Sequence, residues 1–236
     1  FTYEQSEYSE KIFWHIDKRS ILGRYSGYKK VSIKITTKLD VFISERKRWK
    51  FMNNKGTKTL ETDRLILRQF RHEDAENMFK NWASDSEVTK FLTWPPHPNV
   101  NATKAVLNSW IDRYSELSVY NWGLEWKETG EVMGSISVVK LDEAIEAADI
   151  GYCMGKAWWG RGIMPEALRA VIAYLFNEVG LNRIAACHDV NNPKSGRVMQ
   201  KAGMKQEAVL RAAGINNLGI CDEVWYSILK EEYACI

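Results

Sequence analysis

From Trp158 to Leu168 the chain reads Trp-Trp-Gly-Arg-Gly-Ile-Met-Pro-Glu-Ala-Leu, two closely spaced glycines feeding straight into an amphipathic helix. Gly160 and Gly162 allow backbone conformations that a Cβ forbids, and Pro165 suits a first helical turn, where its missing N–H costs nothing. From Leu168 the apolar residues Val171, Ile172, Leu175, Phe176 and Val179 recur at the spacing of one helix face, and Gly180 supplies a C-terminal stop. The first turn of such a helix carries unpaired N–H groups at the positive end of the dipole, which suits an anion such as a phosphate. Taken alone, the pattern equally describes an ordinary turn. It is not a P-loop, because no Gly-Lys-Ser/Thr closes it, and it lacks the third glycine and strand-end acid of a dinucleotide fingerprint.

A second capped segment lies about thirty residues on, at Asp189-Val-Asn-Asn-Pro-Lys-Ser-Gly-Arg-Val-Met-Gln-Lys-Ala-Gly-Met204. Asn192 suits a helix N-cap, Pro193 the first helical position and Gly203 the stop. In order and spacing the two segments resemble the cofactor segments of the GNAT acetyltransferases. The first has the pattern Gln/Arg-x-x-Gly-x-Gly/Ala; here Trp159 takes the Gln/Arg place, Gly162 matches and Met164 replaces the last small residue. The second is Asn-x-x-Ser, a helix and Lys-x-Gly-Met, at Asn192, Ser195 and Lys201 to Met204. The Trp-Gly-Arg-Gly-Ile-Met form resembles the RimJ/RimL branch of ribosomal-protein N-terminal acetyltransferases. The resemblance runs from about residue 61 to 233.

Alternation and turn signals predict strands at Asp63–Phe70, Trp122–Trp126, Val132–Leu141, Ile150–Met154, around Cys187, and at Glu207–Arg211 and Asp222–Lys230. Helices are predicted at His72–Trp82, with Ala75, Met78, Phe79 and Trp82 inward, and at Ala102–Leu117, with Val106, Trp110, Ile111 and Tyr114 inward. With the resemblance, this order implies a mixed α/β (α+β) GNAT fold. About seven mostly antiparallel strands, splayed in the middle, would be flanked by about four helices.

The resemblance implies acetyl-CoA as co-substrate, no metal, and direct attack by an amine without a covalent acyl-enzyme. Gly160, Arg161, Gly162, Ile163 and Met164 would then line the pyrophosphate, with Trp159 in the same motif and Asn192 on the pantetheine arm. A strand N–H near Cys153 or Met154 would meet the oxyanion. Many relatives carry a tyrosine seven residues after the motif asparagine to protonate the thiolate; Met199 stands there and cannot. Ser195 is the substitute, a cofactor contact as well, or else a helix-capping hydroxyl. Asp149 is the candidate base or a solvated strand-end charge, with Glu207 and His188 as lesser candidates. Trp94, in Trp-Pro-Pro-His-Pro, and Tyr226 are assigned to the acceptor wall; the loop around Trp94 could instead simply cap the core.

The acceptor implied is a protein N-terminal amine, ribosomal proteins included. A small amine (polyamine, amino acid or antibiotic) is the alternative within the enzyme class, and Met199 keeps open a non-catalytic CoA-binding module. No stretch approaches the ~18–20 consecutive apolar residues of a membrane span, and no signal-peptide pattern opens the chain. Cys153, Cys187, Cys221 and Cys235 lack metal-ligand spacing, so they read as reduced thiols in a cytoplasmic protein, a monomer or homodimer with no membrane or DNA partner expected. Residues 1–51 hold 12 Lys/Arg against 6 Asp/Glu, with the basic run Arg46-Lys-Arg-Trp-Lys50. They carry no periodic pattern and are expected to be a basic extension outside the core, either a nucleic-acid or ribosome-binding arm or upstream sequence preceding a start at Met52.

Overall fold

The computed structural model describes residues 52–234; the expectation for residues 1–51 and the thiol of Cys235 lie outside them. Eight strands form one sheet: β1 (Leu60–Glu61), β2 (Leu65–Arg68), β3 (Asn121–Trp126), β4 (Val132–Asp142), β5 (Ala147–Met154), β6 (Arg183–Asp189), β7 (Lys205–Asn216) and β8 (Gly219–Leu229). Their order is β1-β2-β3-β4-β5-β6-β8-β7, and every neighbouring pair is antiparallel except β5 and β6. The strand beyond the expected seven is β1, whose two residues are too few to show alternation.

Among the described residues there are six α-helices: α1 (Asp74–Met78), α2 (Ser86–Thr89), α3 (Val100–Asp112), α4 (Ile163–Tyr174), α5 (Pro193–Lys201) and α6 (Lys230–Tyr233). The two beyond the expected four, α2 and α6, have four residues each, too short for a periodic signal. The helix expected over His72–Trp82 changes to a wider π turn at Phe79–Ala83, with Trp82 and Ala83 fully buried. All six apolar positions read from Leu168 to Val179 are buried; there too the helix widens, over Leu175–Val179, before Gly180 stops it in the left-handed region.

Helices cover both faces of the sheet. Val132 and Met133, adjacent in β4, are both fully buried yet belong to different clusters, as alternation across a strand requires. Met133 joins the α4 residues in the larger core, whereas Val132 packs with Phe70, Met78, Trp82 and Leu107 of the α1–α3 layer. The lead-in chain belongs to the same core: Gly56 N–H donates to Leu117 O, Tyr174 Oη to Gly56 O and Trp122 Nε1 to Lys58 O.

Strands β5 and β6 pair only at Ala147 to Asp149 with Arg183 to Ala185, and then part. The ladder between β4 and β5 slips by one residue between Val138 and Lys140, opposite Ile150 and Asp149, where the parting begins. A bulge bends its strand and increases local twist, and here it turns β5 away from β6. No described helix is long and apolar enough to cross a membrane, and no group of three or more His, Cys, Asp or Glu among these residues could hold a metal.

One buried ionic cluster ties the α1 layer to the sheet. Arg68 donates to both carboxylate oxygens of Asp74, at 2.8 and 2.9 Å, and to Glu125 on β3. Hydrogen bonding to Asp74 raises the Arg68 pKa further above its ordinary value despite burial. Asp74→Ala leaves a buried guanidinium short of a partner, so it is expected to cost about 3–5 kcal/mol by urea unfolding.

Candidate active site

Past Asp149, the β5 edge that would have faced β6 has no strand partner. Gly155 N–H donates to Met133 O across β4, and Ser135 stands opposite Cys153. Antiparallel pairs alternate between hydrogen-bonded and non-hydrogen-bonded, so the amides of Cys153 face β4 and those of Met154 and Tyr152 face the gap. Of the two residues expected to donate to an oxyanion, Met154 therefore has its N–H on the open edge. Its carbonyl is already bound, accepting from Trp159 Nε1 at 2.7 Å.

That indole bond sets the entry to the glycine loop. Gly160 and Gly162 stand at φ +79° and +74°, left-handed values that L side chains rarely adopt, while an added Cβ would meet nothing closer than 3.8 Å at either position. Gly162 is the N-cap of α4 and offers no side-chain cap, which leaves the N–H groups of Ile163 and Met164 without intrahelical partners. The helix is held from behind: Glu166 accepts from Thr62 Oγ1 at 2.6 Å and from Arg64 Nε at 2.8 Å. Burial would raise the Glu166 pKa, but the bonds from Thr62 and Arg64 outweigh it and hold the carboxyl below its ordinary value. Arg161 is exposed and takes part through its carbonyl, which accepts from Arg64 Nη1.

The second segment is ordered by Asp189. One of its carboxylate oxygens accepts from the backbone N–H of Asn191 at 2.7 Å and from that residue's amide, and the other from Asn216 at 2.6 Å. Asn192 follows at the N-cap of α5, but its side chain makes no capping bond, so its amide remains available at the cleft. The helix ends as expected at Gly203, with Gly203 N–H on Gln200 O and Met204 N–H on Met199 O. Met199 is 1 % exposed, a core side chain.

Ser195 is not a helix cap. Its Oγ lies 2.9 Å from the hydroxyl of Tyr152, which also donates to Ser195 O at 3.0 Å. Burial pushes the Tyr152 phenol well above its ordinary pKa, so it stays protonated. Cys153 shares a 3.3 Å contact with Ser135 Oγ, and burial pushes its thiol up to about 11, which disfavours the thiolate.

Two clefts open from this place. One, of about 790 Å³, is lined by Met154, Trp159, Gly160, Gly162, Ile163 and Met164 together with the start of α5. The other, of about 860 Å³, is lined by Thr93, Trp94, Trp110, Tyr120, Asn121 and His188 among others. Phe91, Leu92, Tyr152, Cys153, Asn192 and Ser195 line both. The structure thus brings Trp94, Cys153, Met154, Trp159, Gly160, Gly162, Ile163, Met164, Asn192 and Ser195 to one pair of joined clefts.

Three expected residues stand elsewhere. Asp149 sits at the fork but lines neither cleft; burial raises its pKa against the pull of Lys140 and Arg183. Tyr226 is 3 % exposed, with its hydroxyl held between Gln200 and Gln206, so it belongs to the packing of α5 and not to the acceptor wall. Arg161, expected to line the pyrophosphate through its backbone N–H, has an exposed side chain and is not among the residues lining the glycine-loop cleft. Of the lesser base candidates, Glu207 is locked to Arg183 and Ser227, whose hydrogen bonds pull it down to about 2. His188 bonds Asp189 O through Nδ1, lies tilted against the Tyr226 ring, and has Nε2 so close to α5 that a Cβ on Gly196 would lie 2.5 Å from it. Tyr152 is the site residue that sequence reasoning missed. Its one signal was its place in Ile150-Gly151-Tyr152, three residues past the last charged position of a strand.

Residues 64–205 match the acetyltransferase (GNAT) domain family. The protein named "Uncharacterized N-acetyltransferase YoaA" of Bacillus subtilis is 34% identical over 171 residues, covering 72% of this chain and 96% of that one. The [ribosomal protein uS5]-alanine N-acetyltransferase of Escherichia coli is 27% identical over 154 residues, covering 63% and 78%. A GNAT-family acetyltransferase structure from Bacillus anthracis superposes with a TM-score of 0.65 at 26% identity, covering 74% of this chain and 99% of that one.

Gly162→Ala forces a Cβ into the left-handed region and is expected to cost about 1–2 kcal/mol by urea unfolding. Arg161→Ala, on an exposed side chain, should stay within about 0.5 kcal/mol of the parent.

Proposed function

The chain belongs to the GNAT acetyltransferase family, enzymes whose acetyl donor is acetyl-CoA, and from that premise we propose that its acceptor is the N-terminal amine of a protein. The observation that carries the acetyl-transfer reading is the meeting of the two clefts at Tyr152 and Ser195. A donor in the glycine-loop cleft and an acceptor in the other would come together at these hydroxyls.

The donor-side residues fit an anionic thioester carrier. The uncapped N–H groups of Ile163 and Met164 suit phosphate oxygens, and the free amide of Asn192 suits an amide-bearing arm. Acetyl-CoA supplies an activated acyl group; this chain's residues bind, orient and move protons. Met154 N–H, on the open edge of β5, would polarise the acyl carbonyl. Tyr152 Oη donates its proton to Ser195 O and accepts from Ser195 Oγ, which orients that hydroxyl. Ser195 Oγ would then give its proton to the departing sulfur and regain one released by the acetylated amine nitrogen.

What the second cleft offers a protonated amine supports this acceptor class. Asp189 faces it with both oxygens engaged; burial would raise its pKa, but hydrogen bonds from Asn191 and Asn216 keep it below the ordinary value. Glu143 holds Asn54 at the exposed rim. With no described carboxylate placed as a strong base, an amine must arrive with an appreciable neutral fraction. At pH 7 an α-amine (pKa about 7.7–8.0) is neutral roughly 300-fold more often than a lysine-like amine (pKa about 10.4). This favours a peptide N-terminus over a polyamine, in keeping with the ribosomal-protein acceptor in the name of the Escherichia coli relative.

The test is thiol release from acetyl-CoA with peptides of ribosomal-protein N-termini, a polyamine panel and free amino acids. Peptides should give kcat/KM at least about tenfold above the others, with a pH profile that rises toward the peptide's own amine pKa in both the parent and Asp149→Asn. A preference for polyamines would overturn the acceptor assignment; a collapse of the profile in Asp149→Asn would make Asp149 the base. Ser195→Ala should lower kcat by about 10²–10⁴-fold with little change in acetyl-CoA affinity. Tyr152→Phe should lower kcat by less, because Ser195 keeps its hydroxyl.

A further inference from the structure

The turn joining β7 and β8 reaches back over the site from the far end of the sheet. The strands pair to the end of the hairpin, at Asn216 and Gly219, but the ladder slips between Leu210 and Gly214, where Ala212 takes a positive φ of 49°. Asp222 Oδ1 holds that bulge by accepting from Ala212 N–H at 2.8 Å. Such a bulge re-aims the arm beyond it. The re-aimed arm is not retained for its packing, since Ile215, Leu218 and Ile220 are all more than 60% exposed.

What the arm does is place two adjacent asparagines on two different walls. Asn217 Nδ2 donates to Thr89 O and to Trp94 O, each at 2.8 Å, and its backbone N–H donates to Leu92 O at 3.2 Å. Those three carbonyls bracket the Phe91–Trp94 wall, whose Thr93 and Trp94 line the acceptor cleft alone and whose Phe91 and Leu92 line both clefts. Asn216 Nδ2 donates to Asp189 Oδ2 at 2.6 Å, and the other oxygen of that carboxylate orders Asn191, just before Asn192. Asn216 itself is braced by Leu218 N–H on its Oδ1 at 2.8 Å.

The geometry points to the Asn216–Asn217 turn as a strut that sets the spacing between the Phe91–Trp94 wall and the Asp189–Asn192 segment, Asn217 positioning the first and Asn216 the second. That segment runs from the acceptor cleft at Asp189 to the donor cleft at Asn191 and Asn192. The inference rests on the acetyl-transfer reading for its kinetic consequences, but not for its structural ones. Both residues act through others and touch neither reactant. The two bonds from the Asn217 side chain need a donor: a carboxylate of the same size would set negative oxygens against two carbonyls.

The experiment uses the full chain with Asn217→Ala, Asn217→Asp and Asn216→Ala. It measures acceptor KM and kcat by thiol release, acetyl-CoA affinity by calorimetry, and hydrogen exchange over residues 89–97. Asn217→Ala should raise acceptor KM by about tenfold and speed exchange in 89–97, with a clearly smaller loss of acetyl-CoA affinity, since only Phe91 and Leu92 of that wall reach the donor cleft. Asn217→Asp should behave likewise, since size without donors does not rescue. Asn216→Ala should instead weaken acetyl-CoA by several-fold. Unchanged exchange in 89–97, or rescue by Asp, overturns the strut, as does an equal loss of both affinities in either alanine variant. If the parent turns over no amine, the acceptor assignment fails while exchange and acetyl-CoA affinity still decide the strut.

Discussion

Everything that distinguishes this sheet as a site depends on the parting of β5 from β6 after three paired residues. A parallel pair continued to the strand ends would have consumed the N–H and C=O groups of Tyr152 and Met154 in a ladder. Left unpaired, backbone groups must find other partners, because a buried amide without one costs free energy. The indole of Trp159 takes the Met154 carbonyl, and the phenol of Tyr152 reaches across to the carbonyl of Ser195. The Trp159 indole thus satisfies one group of the opened edge and joins it to the glycine loop, while the Tyr152 side chain joins the same strand to α5.

The legible parts of the site were the local ones. Gly160 and Gly162, Pro165, Gly180, Asn192, Pro193 and Gly203 act through backbone conformations set within a few residues, so their spacing carried both helix starts and both stops. Periodicity likewise gave the buried face of α4, Leu168 to Val179, without loss. The fold order was legible for the same reason, apart from β1, α2 and α6, which are shorter than one period of any pattern.

What was not legible depends on which edge or face of a strand meets a distant segment. Alternation tells that Tyr226 and Asp149 lie on given faces of β8 and β5, but not that α5 covers the first or that the second stops short of the clefts. Tyr152 was missed on the same account, since its partner Ser195 lies 43 residues away and only the splay brings them together. The turn at Asn216–Asn217 lies as far beyond sequence reasoning. Nothing in Asn-Asn-Leu-Gly says that its two amides serve segments 27 and more than 120 residues distant.

The absence of a tyrosine at position 199 takes on a different meaning beside Tyr152. A phenol on α5 would have been carried by the helix, near Ser195 and on the same element. Met199 turns into the core, and the phenol comes instead from β5, on the opposite wall of the gap. A hydroxyl pair formed across the splay exists only while the two walls keep their spacing, whereas a residue on one helix would carry its geometry with it. That makes the chemistry proposed here sensitive to anything that fixes the distance between β5 and α5. Trp159 is placed to do so: its N–H binds Met154 O on β5, and the Lys194 ammonium at the start of α5 lies 5.1 Å over its ring. The tryptophan that departs from the family's Gln/Arg position links the walls whose spacing the Tyr152–Ser195 pair requires.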